Sequence, residues 1–117
     1  MITLICGLSR AGKTTYSQKY QDTKIIHLDN YGSYQRVRDI VKYIDTDVVV
    51  DGIYWNAEDR KQLIRAYSGN GAKCVWIDTP KEIRQTRKGY RKWSEHRFDP
   101  PTVDEGWNEI LIIRQEN

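Results

Sequence analysis

Five apolar runs recur along the chain, Thr3 to Cys6, Ile25 to Leu28, Val48 to Val50, Cys74 to Ile77 and Ile110 to Ile113. Each is apolar throughout rather than alternating with polar residues, the pattern of parallel strands covered on both faces. The stretches between them carry helical spacing. Lys13 to Tyr20 opens directly from a glycine-rich loop, Tyr34 to Ile44 sets Val37, Ile40, Val41 and Ile44 on one stripe, and Ala57 to Tyr67 does the same with Leu63, Ile64 and Tyr67. Ser68-Gly69-Asn70-Gly71 is a helix stop, and Pro80 starts a further helix running toward Lys88. Strands alternating with helices predict βαβ units in an α/β fold, a three-layer α/β/α sandwich around a five-stranded, mainly parallel sheet.

Size and composition narrow this picture. The 117 residues fit one domain spanning 1–117, and the balance of 38% apolar and aromatic with 30% charged residues is that of a folded globular protein rather than a disordered one. No run approaches the ~20 apolar residues that cross a bilayer, and the first residues lack a signal-peptide pattern, so the expected setting is the cytoplasm without a membrane partner. Cys6 and Cys74 both fall in apolar runs and are read as small buried hydrophobes, with no disulfide or protein-held metal cluster expected. The net charge of +3 fits an anionic ligand. Its densest cationic stretch is 81–97, where Lys81, Arg84, Arg87, Lys88, Arg91, Lys92 and Arg97 face only Glu82 and Glu95.

The sharpest chemical signal is Gly7-Leu8-Ser9-Arg10-Ala11-Gly12-Lys13-Thr14, a match to G-x-x-x-x-G-K-[ST] placed after a strand and before a helix. Glycines at both ends let such a loop turn consecutive N–H groups inward, and the helix that follows adds its positive N-terminal end. Gly7, Ser9, Arg10, Ala11, Gly12, Lys13, Thr14 and Thr15 are therefore candidate nucleotide-binding residues of a P-loop NTPase fold. Lys13 would reach the β- and γ-phosphates of ATP, and the Thr14 hydroxyl would meet Mg²⁺.

Ligands of open α/β sheets bind at the carboxyl ends of the strands, which draws attention to acids that follow apolar runs. Asp29 is the candidate general base for an attacking hydroxyl, with a helix cap as its bland alternative. Asp51, after Val48-Val49-Val50, is the candidate carboxylate that holds a water on Mg²⁺. Asp78 is read as the cap of the helix starting at Pro80, and His27 as a satisfied core residue.

With these residues in place, the chain resembles the P-loop kinase family of bacteriophage polynucleotide 5′-hydroxyl kinases and related small kinase domains. The resemblance rests on the loop, on Val48-Val49-Val50-Asp51-Gly52 followed by Asn56-Ala57-Glu58-Asp59-Arg60, on Ile77-Asp78-Thr79-Pro80 followed by Arg84 and Arg87-Lys88-Gly89, and on Asp104-Glu105-Gly106-Trp107. It implies transfer of the γ-phosphoryl group of ATP to a hydroxyl, with Lys13 and Thr14 on the nucleotide, Asp29 as base and a basic lid. Arg84, Arg87, Lys88 and Arg91 are the lid candidates, with Arg87 the one assigned to the transferring group.

In that family an arginine shortly after the base grips the acceptor's phosphate, whereas here Asn30-Tyr31-Gly32 follow Asp29. Arg36 or Arg38 would take its place, and Tyr31 and Tyr34 would offer stacking surfaces of the kind that hold single-stranded nucleic acid. The acceptor is accordingly read as a polynucleotide 5′ end. A nucleotide-like small molecule is the rival acceptor, and a non-catalytic ATPase switch the rival class. For Tyr54 and Trp55, packing against a neighbouring helix is the preferred reading over base stacking.

Overall fold

In the computed structural model, residues 1–8, 11, 13–54, 56–87 and 98–114 are described, with Thr14 and Thr15 described by their backbone alone. The apolar runs form the five strands β1 (Ile2–Cys6), β2 (Lys24–His27), β3 (Val48–Gly52), β4 (Ala72–Asp78) and β5 (Glu109–Arg114). They join in one sheet of order β2-β3-β1-β4-β5, and every pairing is parallel. The expected mainly parallel sheet is thus parallel throughout. β1 and β3 are buried along their whole length, which explains why their sequences do not alternate.

Period-two geometry sorts the strand side chains into two cores. Ile2, Leu4, Cys6, Val48, Val50, Ala72 and Cys74 point to one face, where α3 (Tyr34–Val41) and α4 (Ala57–Ala66) add Val37, Val41 and Leu63. Ile5, Val49, Val75 and Ile77 point to the other, where Ala11 and Tyr16 and Tyr20 pack, from α1 (Lys13–Ser17) and the 3₁₀ turn behind it, Gln18–Tyr20. The sheet lies between helical layers, the α/β/α arrangement that the sequence predicts.

Ser33 caps α3 by accepting the Arg36 N–H, and Asn56 caps α4 by accepting that of Glu58. The stop after α4 ends at Gly71, whose φ of +87° suits a residue without Cβ. Two local features depart from the sequence reading. A single-turn helix, α2 (Leu28–Tyr31), follows β2 directly and is closed by Gly32 at φ +78°. The helix after β4, α5, covers Lys81–Arg84 only, and Asp78 does not cap it. Pro80 occupies the cap position, while Asp78 is still within β4 and pairs with Arg114 across the β4–β5 edge, Oδ2 to Nε at 3.6 Å.

The connection from β1 runs to the β2 side of the sheet and that from β4 to the β5 side. Adjacent strands whose chains leave in opposite directions open a crevice at their carboxyl ends, here between β1 and β4. No helix among the described residues is long and apolar enough to cross a membrane.

The segment leading into β5 is locked to α4 by a buried ion pair. Arg60 donates from Nε to Glu105 Oε1 at 2.7 Å and from Nη2 to Oε2 at 3.0 Å, and its Nη1 donates to the Tyr54 carbonyl at 2.7 Å. The Trp107 indole also donates to Oε1, at 3.0 Å, and Thr102 and Glu105 form a capping box. Burial favours the protonated Glu105 carboxyl, but the hydrogen bonds from Arg60 and Trp107 outweigh it and hold the carboxyl below its ordinary range. Glu105→Ala leaves Arg60 buried without its counter-charge and is expected to cost about 3–5 kcal/mol in urea unfolding. Because the folded carboxyl is the more acidic, its stabilisation is present above the unfolded value and lost as pH falls through the folded one. The gap between wild type and Glu105→Ala should therefore narrow in acid.

Candidate functional site

The glycine loop leaves β1 at Gly7, against the end of β4. A Cβ on Gly7 would stand 2.6 Å from the Ile77 carbonyl oxygen, a backbone atom that cannot swing aside. Any other residue here would push the loop off the sheet. The loop then curls, with the Ala11 N–H donating to the Leu8 carbonyl at 3.1 Å. From the first turn of α1, Lys13 reaches back over it and donates from Nζ to that same Leu8 carbonyl at 2.7 Å. Thr79, directly after β4, fixes the loop from beneath by donating from Oγ1 to the Ala11 carbonyl at 2.7 Å. Ser9, Arg10 and Gly12 lie outside the described residues, as do the side chains of Thr14 and Thr15. Sequence reasoning passed over Thr79; its signal was a hydroxyl at the carboxyl end of a strand bordering the crevice.

Lys13 is a half-desolvated cation. Burial lowers its pKa from 10.5 to about 8, the charge of Arg84 pushes the same way, and those of Asp51 and Asp29 oppose both. An ammonium held this way gains from any anion that reaches the loop.

The two catalytic acids expected from the sequence fall in different settings. Asp51 lies inside β3 and is 5% exposed. Burial raises its pKa, while hydrogen bonds with His27 and the Ser17 hydroxyl and the charge of Lys13 favour its ionised form. His27 Nδ1 is 2.7 Å from Asp51 Oδ2. His27 is therefore not the core residue that its place in a strand predicts, since its side chain is 34% exposed and its ring meets a carboxylate. Asp29 sits in the first turn of α2, exposed, and acts on Lys13 through its charge. Lys13, Asp51 and Asp29 thus share one electrostatic neighbourhood at the carboxyl ends of β1, β3 and β2.

Asp51 is the carboxylate best placed for Mg²⁺. Among the described residues no group of three or more His, Cys, Asp or Glu forms a metal cage. A single buried carboxylate fits an ion held chiefly by phosphate oxygens and water, the usual habit of Mg²⁺.

Arg84, one of the lid candidates, lies in the wall of the crevice. It is 4% exposed and donates from Nε to the Thr79 carbonyl at 2.9 Å. With Leu8, Trp76, Asp78 and Phe98 it lines a shallow pocket in the β1–β4 crevice, where the Trp76 and Phe98 rings stack at 5.5 Å. Arg87 is half-buried just beyond α5, and Lys88 and Arg91 lie outside the described residues, as does Trp55.

On the β2 side, Tyr31 packs against the core and Tyr34 meets the Tyr54 ring at 4.6 Å. Those two tyrosines are engaged in packing, not set out as the open stacking platform expected of them. Tyr54 itself is fully buried, in line with the packing reading. Arg36 is exposed. Arg38 donates from Nη2 to Gln35 Oε1 at 2.7 Å, whereas its Nη1 and the Tyr54 hydroxyl are buried donors without a hydrogen-bond partner among the described residues. The charge of Arg38 acts on the Tyr54 phenol, which places the two in one neighbourhood.

No protein-family model matches the chain, and no curated protein matches it. Among solved structures, an unliganded sugar kinase from Janibacter sp. HTCC2649 is similar, with a TM-score of 0.76 over 97% of this chain and 84% of that one. The likeness is one of fold. At 13% identity it shows a shared α/β fold alone and leaves the chemistry to the residues themselves.

The lowered pKa of Lys13 has a measurable sign. Between about 8 and the ordinary 10.5 the unfolded chain binds a proton that the folded chain does not, so Lys13 makes stability rise with pH across that window. In urea unfolding over this range, the stability of wild type relative to Lys13→Met should rise with pH, the difference isolating Lys13 from the tyrosines that titrate in the same window.

Proposed function

We propose that the chain is a single ATP-binding domain that transfers the γ-phosphoryl group to a hydroxyl, with a polynucleotide 5′ end as the acceptor. The observation that carries this reading is Lys13, folded over the glycine loop at the β1–β4 crevice with the buried Asp51 on the neighbouring strand. Under this reading the loop is a P-loop. Its inward N–H groups and Lys13 hold the phosphates, and binding replaces the Lys13 bond to the Leu8 carbonyl by bonds to phosphate oxygens. Mg²⁺ bound with the nucleotide neutralises charge on the phosphates, and Thr14 and, through water, Asp51 are the residues that would hold it.

Asp29, exposed beside this site, accepts the proton of the attacking hydroxyl. Arg87, with Lys88 and Arg91, supplies positive charge to the transferring group. On the acceptor side, Arg36 is an exposed cation on α3 and supports an acceptor that carries an anionic group. A phosphodiester next to a 5′-hydroxyl has that chemistry. A sugar or nucleotide-like acceptor is the second reading, favoured by the fold shared with a sugar kinase.

The deciding experiment incubates the protein with γ-labelled ATP, Mg²⁺ and a panel of 5′-hydroxyl DNA and RNA oligonucleotides, nucleosides, nucleotides and sugars. Label on an oligonucleotide supports the proposal, label on a sugar or nucleotide moves the acceptor to the second reading, and phosphate release without labelled acceptor rejects the kinase. Asp29→Asn should leave ATP affinity within about threefold while lowering transfer by about 10²–10⁴-fold. Tyr54→Phe removes a buried hydroxyl that has no partner among the described residues, so it should stabilise the protein by about 1–3 kcal/mol in urea unfolding and leave the KM of the acceptor unchanged.

A further inference from the structure

His27 stands opposite Asp51 in the parallel pairing of β2 with β3, and Ile25 and Val49, two positions before them and so on the same face of their strands, pack in the core on the α1 face. Both side chains therefore emerge beneath α1, where Ser17 hydrogen-bonds the same carboxylate. A carboxylate accepts hydrogen bonds, so with Asp51 as acceptor the donor of this 2.7 Å bond is the Nδ1–H of His27. Asp51 is held from two sides, by β2 and by α1.

We infer that His27 is a positioning residue for Asp51, holding its carboxylate in the one orientation in which it serves the metal-bound nucleotide. The inference rests on the function proposed above. Asp51 emerges close to Lys13, and without His27 the carboxylate keeps one of its two hydrogen bonds and is free to turn toward the ammonium. Partners directly behind a metal ligand typically contribute 10–100-fold to metal affinity, and the lower end applies here because Asp51 would reach the ion through water. Nothing in the apolar pattern of β2 calls for a histidine at its last position, and a merely structural ring there would not distinguish metal-bound from metal-free nucleotide.

The test is calorimetric titration of ATP into wild type, His27→Ala and His27→Asn, each with excess Mg²⁺ and with a chelator. Wild type is expected to bind more tightly with Mg²⁺. His27→Ala should keep the metal-free affinity within about twofold and lose about tenfold of the affinity with Mg²⁺. His27→Asn, whose Nδ2–H replaces Nδ1–H, should recover most of it. Equal affinities in His27→Ala and wild type, or the same loss with and without metal, would overturn the inference. If His27→Ala does not fold, His27→Gln replaces it: its longer arm carries the donor past Asp51, so an equal Mg²⁺ response in the Gln and Asn variants also overturns it. A wild type that responds to Mg²⁺ but not to these substitutions sinks the positioning role alone. A wild type that binds no ATP in either buffer overturns the proposed function and this inference with it.

Discussion

The contact between the glycine loop and the end of β4 is the constraint on which the site depends. β1 is the central strand, and its loop must turn back across the sheet edge within a residue or two of leaving it. That is possible because Gly7 presents no Cβ to the Ile77 carbonyl and because Thr79 takes up the Ala11 carbonyl from below. Arg84 then braces the Thr79 carbonyl. Loop, strand end and helix start are thus tied together before any ligand arrives, and Lys13 is delivered over the loop rather than into solvent.

Charge follows from this packing. Lys13 is brought into a partly dry crevice, where its ammonium is disfavoured, and Asp51 is buried in β3, where its carboxylate is disfavoured as well. Each eases the other's cost through space, and Ser17 and His27 add hydrogen bonds to the acid. The result is a cation whose pKa is lowered to about 8 beside an acid whose pKa is raised, a kind of perturbation that clusters at functional sites.

Elsewhere the molecule uses the same chemistry for stability. Arg60 and Glu105 are the largest buried ionic contact among the described residues, and with Trp107 they satisfy nearly every polar atom they bring into the core. Two stretches by which the chain resembles polynucleotide kinases, the arginine in α4 and the Glu-Gly-Trp segment, meet in this latch. Their part here is to hold the entry to β5 against α4, with the Arg60 guanidinium 5.6 Å from the Phe98 ring that lines the crevice pocket. A resemblance in sequence can therefore mark a shared frame as readily as a shared site.

The sequence by itself determined the layers and the loop. Runs such as Val48-Val49-Val50 have too little polarity for a half-exposed strand, helical spacing in Tyr34–Val41 and Ala57–Ala66 gives each an apolar stripe, and the glycine-lysine spacing is a local feature that needs no partner to be read. Strand and helix ends were less legible, because α2 and the short α5 depend on a few backbone bonds that neighbouring segments decide. What only the tertiary structure decided were the pairings across the sheet: His27 beside Asp51, Thr79 under Ala11, Arg84 in the crevice wall, Tyr34 spent on Tyr54. Each joins residues between 5 and 68 positions apart. Spacing along a chain carries no information about which strand will lie next to which. Parallel strand order is set by the burial of the whole sheet, and the side chains of a site inherit their neighbours from it.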